Sequence, residues 1–202
     1  MLTERIGRIT PSATLAMTAK AAELRAAGKP VINLSVGEPD FPTPKNIRLA
    51  GQRAIEEGHT RYTPGGGTME LKKAVVEKLS RDNNLHYDTS QILISCGGKH
   101  SLYNACQALF QTGDEVIIFS PYWVSFPDFV SVTGAKPVFV NTDPLHQFEP
   151  VLDDLKAKIT PRTKGIIINS PSNPTGGVWS DETVLKVLEI AQEADAWVFS
   201  DE

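Results

Sequence analysis

The sequence predicts an α/β fold, a mostly parallel sheet flanked by helices and cut short at its C-terminal end. Three observations carry that expectation. From Gln91 onward, short β-branched and aromatic runs alternate with amphipathic stretches. The central runs, Val116–Phe119, Pro137–Val140 and Gly165–Ile168, are largely apolar without alternation, as strands buried on both faces read. The chain also stops at Glu202, directly after the last such run. A terminus with no closing helix or polar tail reads as a cut inside a domain.

In order along the chain, the first helix is expected over Ser12–Ala27. There Leu15, Ala19, Ala22 and Ala26 recur on one face, and Gly28 with Pro30 stops it. Val31–Leu34 is extended. Pro39, Pro42 and Pro44 exclude a regular helix around them. Thr43 and Pro44 read as N-cap and first residue of a helix to about Glu57. Tyr62-Thr63-Pro64-Gly65-Gly66-Gly67 is a loop, followed by a helix over Met69–Arg81 with Leu71, Val75 and Leu79 as its stripe. Strands are expected at Gln91–Ser95, Glu115–Ser120, Lys136–Asn141, Lys164–Asn169 and Ala196–Ser200. Helices fall between them at Lys99–Gln111, within Val124–Val132, at Val151–Ile159 and at Asp181–Asp195. Val184, Leu185, Leu188 and Ala191 form the stripe of the last. This is a βαβ series with right-handed crossovers.

Composition narrows the function. The 202 residues are 41% hydrophobic and 22% charged, which fits a globular chain. A net charge of −4 and a pI near 5.6 argue against a nucleic-acid or anionic-membrane footprint. No apolar run approaches the roughly 18–20 residues of a membrane-spanning helix, and the start MLTERIGRITPSATLAM has no apolar signal core. A cytoplasmic chain is the expectation. Cys96 and Cys106 form no disulfide framework and no CxxC, and no HExxH is present, so a metal site is not expected.

In parallel sheets, ligands gather beyond the carboxyl ends of the strands, so the residues just after each strand matter. Gly97, Gly98 and Lys99 join a strand to a helix start, where glycines and free amides suit a phosphate. The spacing is neither a Walker loop nor GxGxxG, and a tight turn would use the same glycines. Tyr122 and Trp123 offer a flat surface for a ring, or are packed aromatics at a helix start. Asn173, between Pro171 and Pro174, can donate and accept from a restricted loop, though a plain turn uses these residues too. Asp201 ends the last strand, where a carboxylate can hold a cationic ring nitrogen or cap a following helix. Together a phosphate seat, an aromatic, an asparagine and a carboxylate describe a site for pyridoxal phosphate.

These residues are also familiar as a set. Ser35–Phe41 (SVGEPDF), Tyr62–Gly67, Gly97–Lys99, Ser120–Trp123, Ser172–Gly176 (SNPTG) and Ser200-Asp201-Glu202 occur in the order and spacing of class I/II aminotransferases. Over essentially all its length, the chain resembles their bacterial aspartate/prephenate aminotransferase subgroup. The resemblance implies the fold type I aminotransferase large domain. Residues 1–44 would be an N-terminal segment of the small domain or dimer arm, and residues 45–202 an incomplete cofactor domain. It implies that Gly97, Gly98 and Lys99 bind the cofactor phosphate, that Trp123 stacks on the ring, and that Asp201 pairs the ring nitrogen. Asn173 would bond the phenolic oxygen and the substrate carboxylate region, Gly37 would contact that carboxylate, and Tyr62 would reach the phosphate of a second subunit in a homodimer. Lys99 resembles a lysine near the distal carboxylate of an acidic substrate, which favours aspartate or glutamate as amino donor to a 2-oxo acid. Aromatic or prephenate substrates are the runner-up. The family's Schiff-base lysine lies beyond Ser-Asp-Glu, so these residues alone are expected not to transaminate. A non-catalytic or split-enzyme module, and a related pyridoxal-phosphate lyase or synthase, are the alternatives.

Overall fold

The computed structural model describes residues 2–9 and 11–202. They divide into two units, one of residues 11–96 and one of residues 97–202 with the N-terminal residues up to 9.

The first unit is helical. It holds α2 (Ala13–Ala26), α3 (Lys45–Glu56) and α4 (Met69–Asn83); the short α1 (Glu4–Gly7) precedes it in the chain. The Ser12 and Thr68 hydroxyls cap α2 and α4 by accepting the Leu15 and Leu71 N–H. The expected inward face of α2 is displaced. Ala21 is the buried residue, with Thr14, Thr18 and Leu24 half-buried, whereas Leu15, Ala19, Ala22 and Ala26 are exposed. Alanine marks a helical face weakly, because one methyl adds little to burial whichever way it turns. The strand expected at Gln91–Ser95 does not form. The segment is extended after a short turn at Thr89–Gln91, but a strand needs a ladder, and Ile94 N–H instead donates to Gly66 O in a loop.

The second unit carries the sheet. Its elements are α5 (Gly98–Leu109), β1 (Glu115–Ser120), α6 (Phe126–Ser131), β2 (Lys136–Asp143), β3 (Glu149–Pro150), α7 (Leu152–Lys158), β4 (Thr163–Asn169), α8 (Asp181–Glu193) and β5 (Trp197–Asp201). Strand order is β3-β2-β1-β4-β5, all parallel except the two-residue β3, which runs antiparallel on β2. Alternation along the strands feeds two cores. Val116, Ile118 and Ile167 point to one face, under Cys106 of α5, Phe110 at its C-cap, and Phe126, Phe129 and Val130 of α6. Ile117, Phe119, Ile166 and Ile168 point to the other, under Leu155 of α7 and Val187, Ile190 and Ala191 of α8. Each fully buried branched side chain contributes about 1.5–3 kcal/mol. On α8 the expected stripe is only partly right. Val184 and Ala191 pack inward, but Leu185 and Leu188 are exposed, and Thr183, Val187 and Ile190 take their place.

β1 crosses to β2 through α6, while β4 crosses to β5 in the opposite direction through α8. Right-handed crossovers running in opposite directions need helices on opposite faces, as found. The order therefore reverses between β1 and β4, and a crevice opens beyond their carboxyl ends.

Candidate functional site

Four sequence segments meet at that end of the sheet. Register pairs Ser120 of β1 with Asn141 of β2, and Asn169 of β4 with Asp201 of β5, so the strands stop nearly level. The crevice between β1 and β4 is lined by Pro121, Tyr122, Thr142, Asn169, Ser172 and Trp179, among others.

Helix α5 runs antiparallel to the strands. At its C-terminal end Phe110 packs over Gly165 and Val116, near the starts of β4 and β1. In its first turn Lys99 lies over the Trp123 ring, 4.9 Å from the centroid, just beyond the end of β1. The N-terminus of α5 thus faces the same end of the sheet as the strand-end loops. Gly97 is the N-cap with φ 85°, a conformation glycine takes without strain. A methyl added at Gly98 would meet no atom within 4 Å beyond its chain neighbours and the backbone of its own helix. The His100 N–H already donates to Gly97 O at 3.1 Å, and the Gly98 and Lys99 amides ahead of it sit at the positive end of the dipole, which suits an anion such as phosphate.

The two aromatics after β1 differ in what they touch. Tyr122 stacks on Phe139 at 4.9 Å and 16°, so one of its faces is taken. Trp123 meets Phe126 and Phe129 at steep angles, which fixes its ring, and presents a face to Lys99.

Asn173 is exposed on the loop after β4, where Ser170-Pro171 and Asn173-Pro174 are cis. Its backbone N–H donates to Asn169 Oδ1 at 2.8 Å. Asn169 Nδ2 in turn donates to the backbone oxygen of Asp201 at 2.9 Å. Asn169 was not singled out from the sequence, where it reads as the last residue of a strand. Burial pushes the Asp201 carboxyl above the usual carboxylate range. Gly37 and Tyr62 belong to the other unit, where both are exposed.

Among the described residues, no group of three or more His, Cys, Asp or Glu is placed to hold a metal ion. No helix there is long and apolar enough to cross a membrane.

A doubly covered parallel sheet with a helix N-terminus, a fixed aromatic and a half-buried carboxylate at its carboxyl end defines an α/β protein suited to a phosphorylated ring cofactor. The chain belongs to the class I and II aminotransferases, whose family pattern it matches over residues 29–202. The family is pyridoxal-phosphate dependent. The chain is 49% identical over 201 residues to an aspartate aminotransferase of Bacillus subtilis, covering all of this chain and 51% of that protein. It is 46% identical over 202 residues to an aspartate/prephenate aminotransferase of Cereibacter sphaeroides, covering 50% of it. Among solved structures, Thermus thermophilus aspartate aminotransferase with maleate superposes on the whole chain with a TM-score of 0.96 at 42% identity, and the match covers 53% of that protein. The chain therefore spans about half the length of the relatives it matches.

Proposed function

We propose that the protein carrying this chain transfers an amino group from an L-amino acid to a 2-oxo acid with pyridoxal phosphate, aspartate or glutamate being the favoured donor. The observation that carries the reading is the gathering of the α5 N-terminus, Trp123 and Asp201 at one end of one sheet. In this reading the Gly97, Gly98 and Lys99 segment seats the phosphate, and Trp123 stacks on the ring. Asn173 binds the phenolic oxygen and the region of the substrate carboxylate. Asp201 pairs the ring nitrogen. Its burial resists ionisation, and a protonated ring nitrogen beside it favours the charged form. When bound, the cofactor supplies the electron-withdrawing ring that the chemistry needs.

Gly37 would contact the substrate carboxylate, and Tyr62 would reach the phosphate of a second subunit, which makes the protein a homodimer. Residues 1–44 would belong to the small domain or dimer arm, residues 45–202 to the large domain. The protein would act in the cytoplasm, in amino-acid biosynthesis. Maleate, held by the Thermus relative, is a dicarboxylate, which favours an acidic substrate and a role for Lys99 at its distal end. The Cereibacter relative is named for aspartate and prephenate, which supports prephenate as the second reading. A lyase, a synthase or a non-catalytic module on the same fold is the competing class.

The test mixes the protein carrying this chain with pyridoxal phosphate, aspartate and 2-oxoglutarate, and measures oxaloacetate and glutamate. Asp201→Ala is expected to lower turnover by roughly 100- to 1,000-fold, the worth of one charge-assisted bond felt in the transition state, with the cofactor retained. No amino transfer at full cofactor occupancy overturns the reading.

A further inference from the structure

Asn169 closes β4 on the last rung of the sheet, opposite Asp201, and is half-buried. Its Oδ1 accepts the Asn173 N–H at 2.8 Å. Its Nδ2 donates to Asp201 O at 2.9 Å and to Pro171 O at 3.3 Å. Each partner meets the right kind of atom: one N–H faces the amide oxygen, and two carbonyls face the two amide protons. A single side chain thus ties together the loop that carries Asn173 and the strand end that carries Asp201. The loop has few other means to do this. Pro171 and Pro174 have no N–H to donate, and the sheet ladder has already ended.

We propose that Asn169 is a positioning residue for the ring-binding pair: it sets the distance between Asn173 and Asp201, and so the span across which a ring is held from phenolic oxygen to ring nitrogen. This rests on the reading of Asn173 and Asp201 as the two ring contacts. Asn169 acts through those two residues, by holding their backbones.

The test uses the protein carrying this chain, loaded with pyridoxal phosphate, and compares Asn169→Asp, Asn169→Ala, Asp201→Ala and Thr160→Ala. Asn169→Asp keeps the volume and the acceptor for Asn173, but sets an oxygen against two carbonyls. Thr160→Ala removes a hydrogen bond to Glu115 at the other end of the sheet, so it reports what lost stability alone does. Both Asn169 variants are expected to shift the midpoint of the pH-dependent absorbance of the bound cofactor by about one unit. They should also lower kcat by about tenfold, with KM for the amino acid nearly unchanged. Thr160→Ala should move neither the midpoint nor kcat, at a comparable loss of thermal stability. If Asn169→Ala does not fold, the near-isosteric Asn169→Asp decides alone. The proposal is overturned if Asp201→Ala alters absorbance and turnover while the Asn169 variants keep the original midpoint, or if Thr160→Ala shifts it equally. If Asp201→Ala changes nothing, the reading of the ring contacts fails first, and the positioning role with it.

Discussion

Replacing Gly165 by alanine is expected to destabilise the sheet and disturb the far end of α5. A methyl at this position on β4 would lie 2.4 Å from Phe110 Cζ, 2.8 Å from Phe110 Cε1 and 3.3 Å from Val116 Cγ1. Carbon atoms pack at about 3.5–4.0 Å, so the ring must retreat by roughly 1 Å. It has little room. Phe110 is 5% exposed, its ring lies 5.4 Å from that of Phe199, and its N–H donates to Cys106 O. Overpacking of this kind costs about 1–3 kcal/mol. For a cooperative unit of about 150–250 residues, that lowers Tm by about 2–12 °C. Because Phe110 caps α5, its retreat also tilts a helix about 18 Å long whose other end is the proposed phosphate seat. The assay is thermal unfolding of Gly165→Ala, Phe110→Leu and the double variant, each with cofactor affinity measured alongside. Leucine lacks the two crowded ring atoms, so the double variant should be more stable than the sum of the single effects predicts, by about 1–2 kcal/mol. An unchanged Tm for Gly165→Ala, or strict additivity, would refute the reasoning.

Asp201→Asn should stabilise the cofactor-free protein near neutral pH. Burial raises the folded-state pKa of Asp201, so between the ordinary carboxylate value and the raised one the folded state holds a proton that the unfolded state has released. Stability is therefore lost as pH rises from the ordinary carboxylate value through the raised one, and the variant's advantage should vanish below about pH 4. An advantage largest in acid contradicts this. Cys106 is fully buried, and burial pushes its thiol up to about 12, whereas Cys96 is exposed. A thiol reagent near pH 8 should label Cys96 in the folded protein and Cys106 only on unfolding, read by mass spectrometry. Equal labelling rates for both would mean that α5 opens readily. Glu115 is buried and accepts from Thr160 Oγ1 at 2.6 Å and Arg162 Nη2 at 2.8 Å, which hold its carboxyl below the usual range. Its contribution is present at neutral pH and lost as pH falls through the depressed value, so Glu115→Gln should narrow the stability gap between pH 7 and pH 3. A gap of the original size means those bonds carry no net weight.

Much of the second unit is legible in the sequence because its signals are redundant. β1 has no alternation, a turn at each end and a short helix after it, and it forms at the expected residues. Signals that depend on a partner were not legible. Ile92–Ser95 has the composition of a strand, but composition cannot say whether another strand lies alongside. β3 is two residues long with a proline, and exists because β2 offers it an edge. On α8, seven of its thirteen residues are apolar or threonine, so several stripes compete, and only the packed sheet chooses among them. The site divides the same way. Gly98, Trp123, Asn173 and Asp201 are visible because each belongs to an unusual local run. Asn169 is invisible because the role proposed for it lies in bonds to the backbones of Asn173 and Asp201, and an asparagine before Ser-Pro reads as any strand end.

The reversal of strand order between β1 and β4 also sets a schedule for folding. Ile118 of β1 pairs with Phe139 of β2, close behind it in the chain, and with Ile167 of β4, which is synthesised much later. β5 can add only after β4 is in place. As the nascent chain lengthens, the α5 turn and the aromatic after β1 emerge first, and the carboxylate of Asp201 follows after both. Pairings so distant in sequence must overcome the entropy of closing long loops before they are rewarded. A ligand that touches both α5 and Asp201 therefore recognises these strands only once they have paired, and by mass action it pulls conformers that lack β5 pairing toward that state.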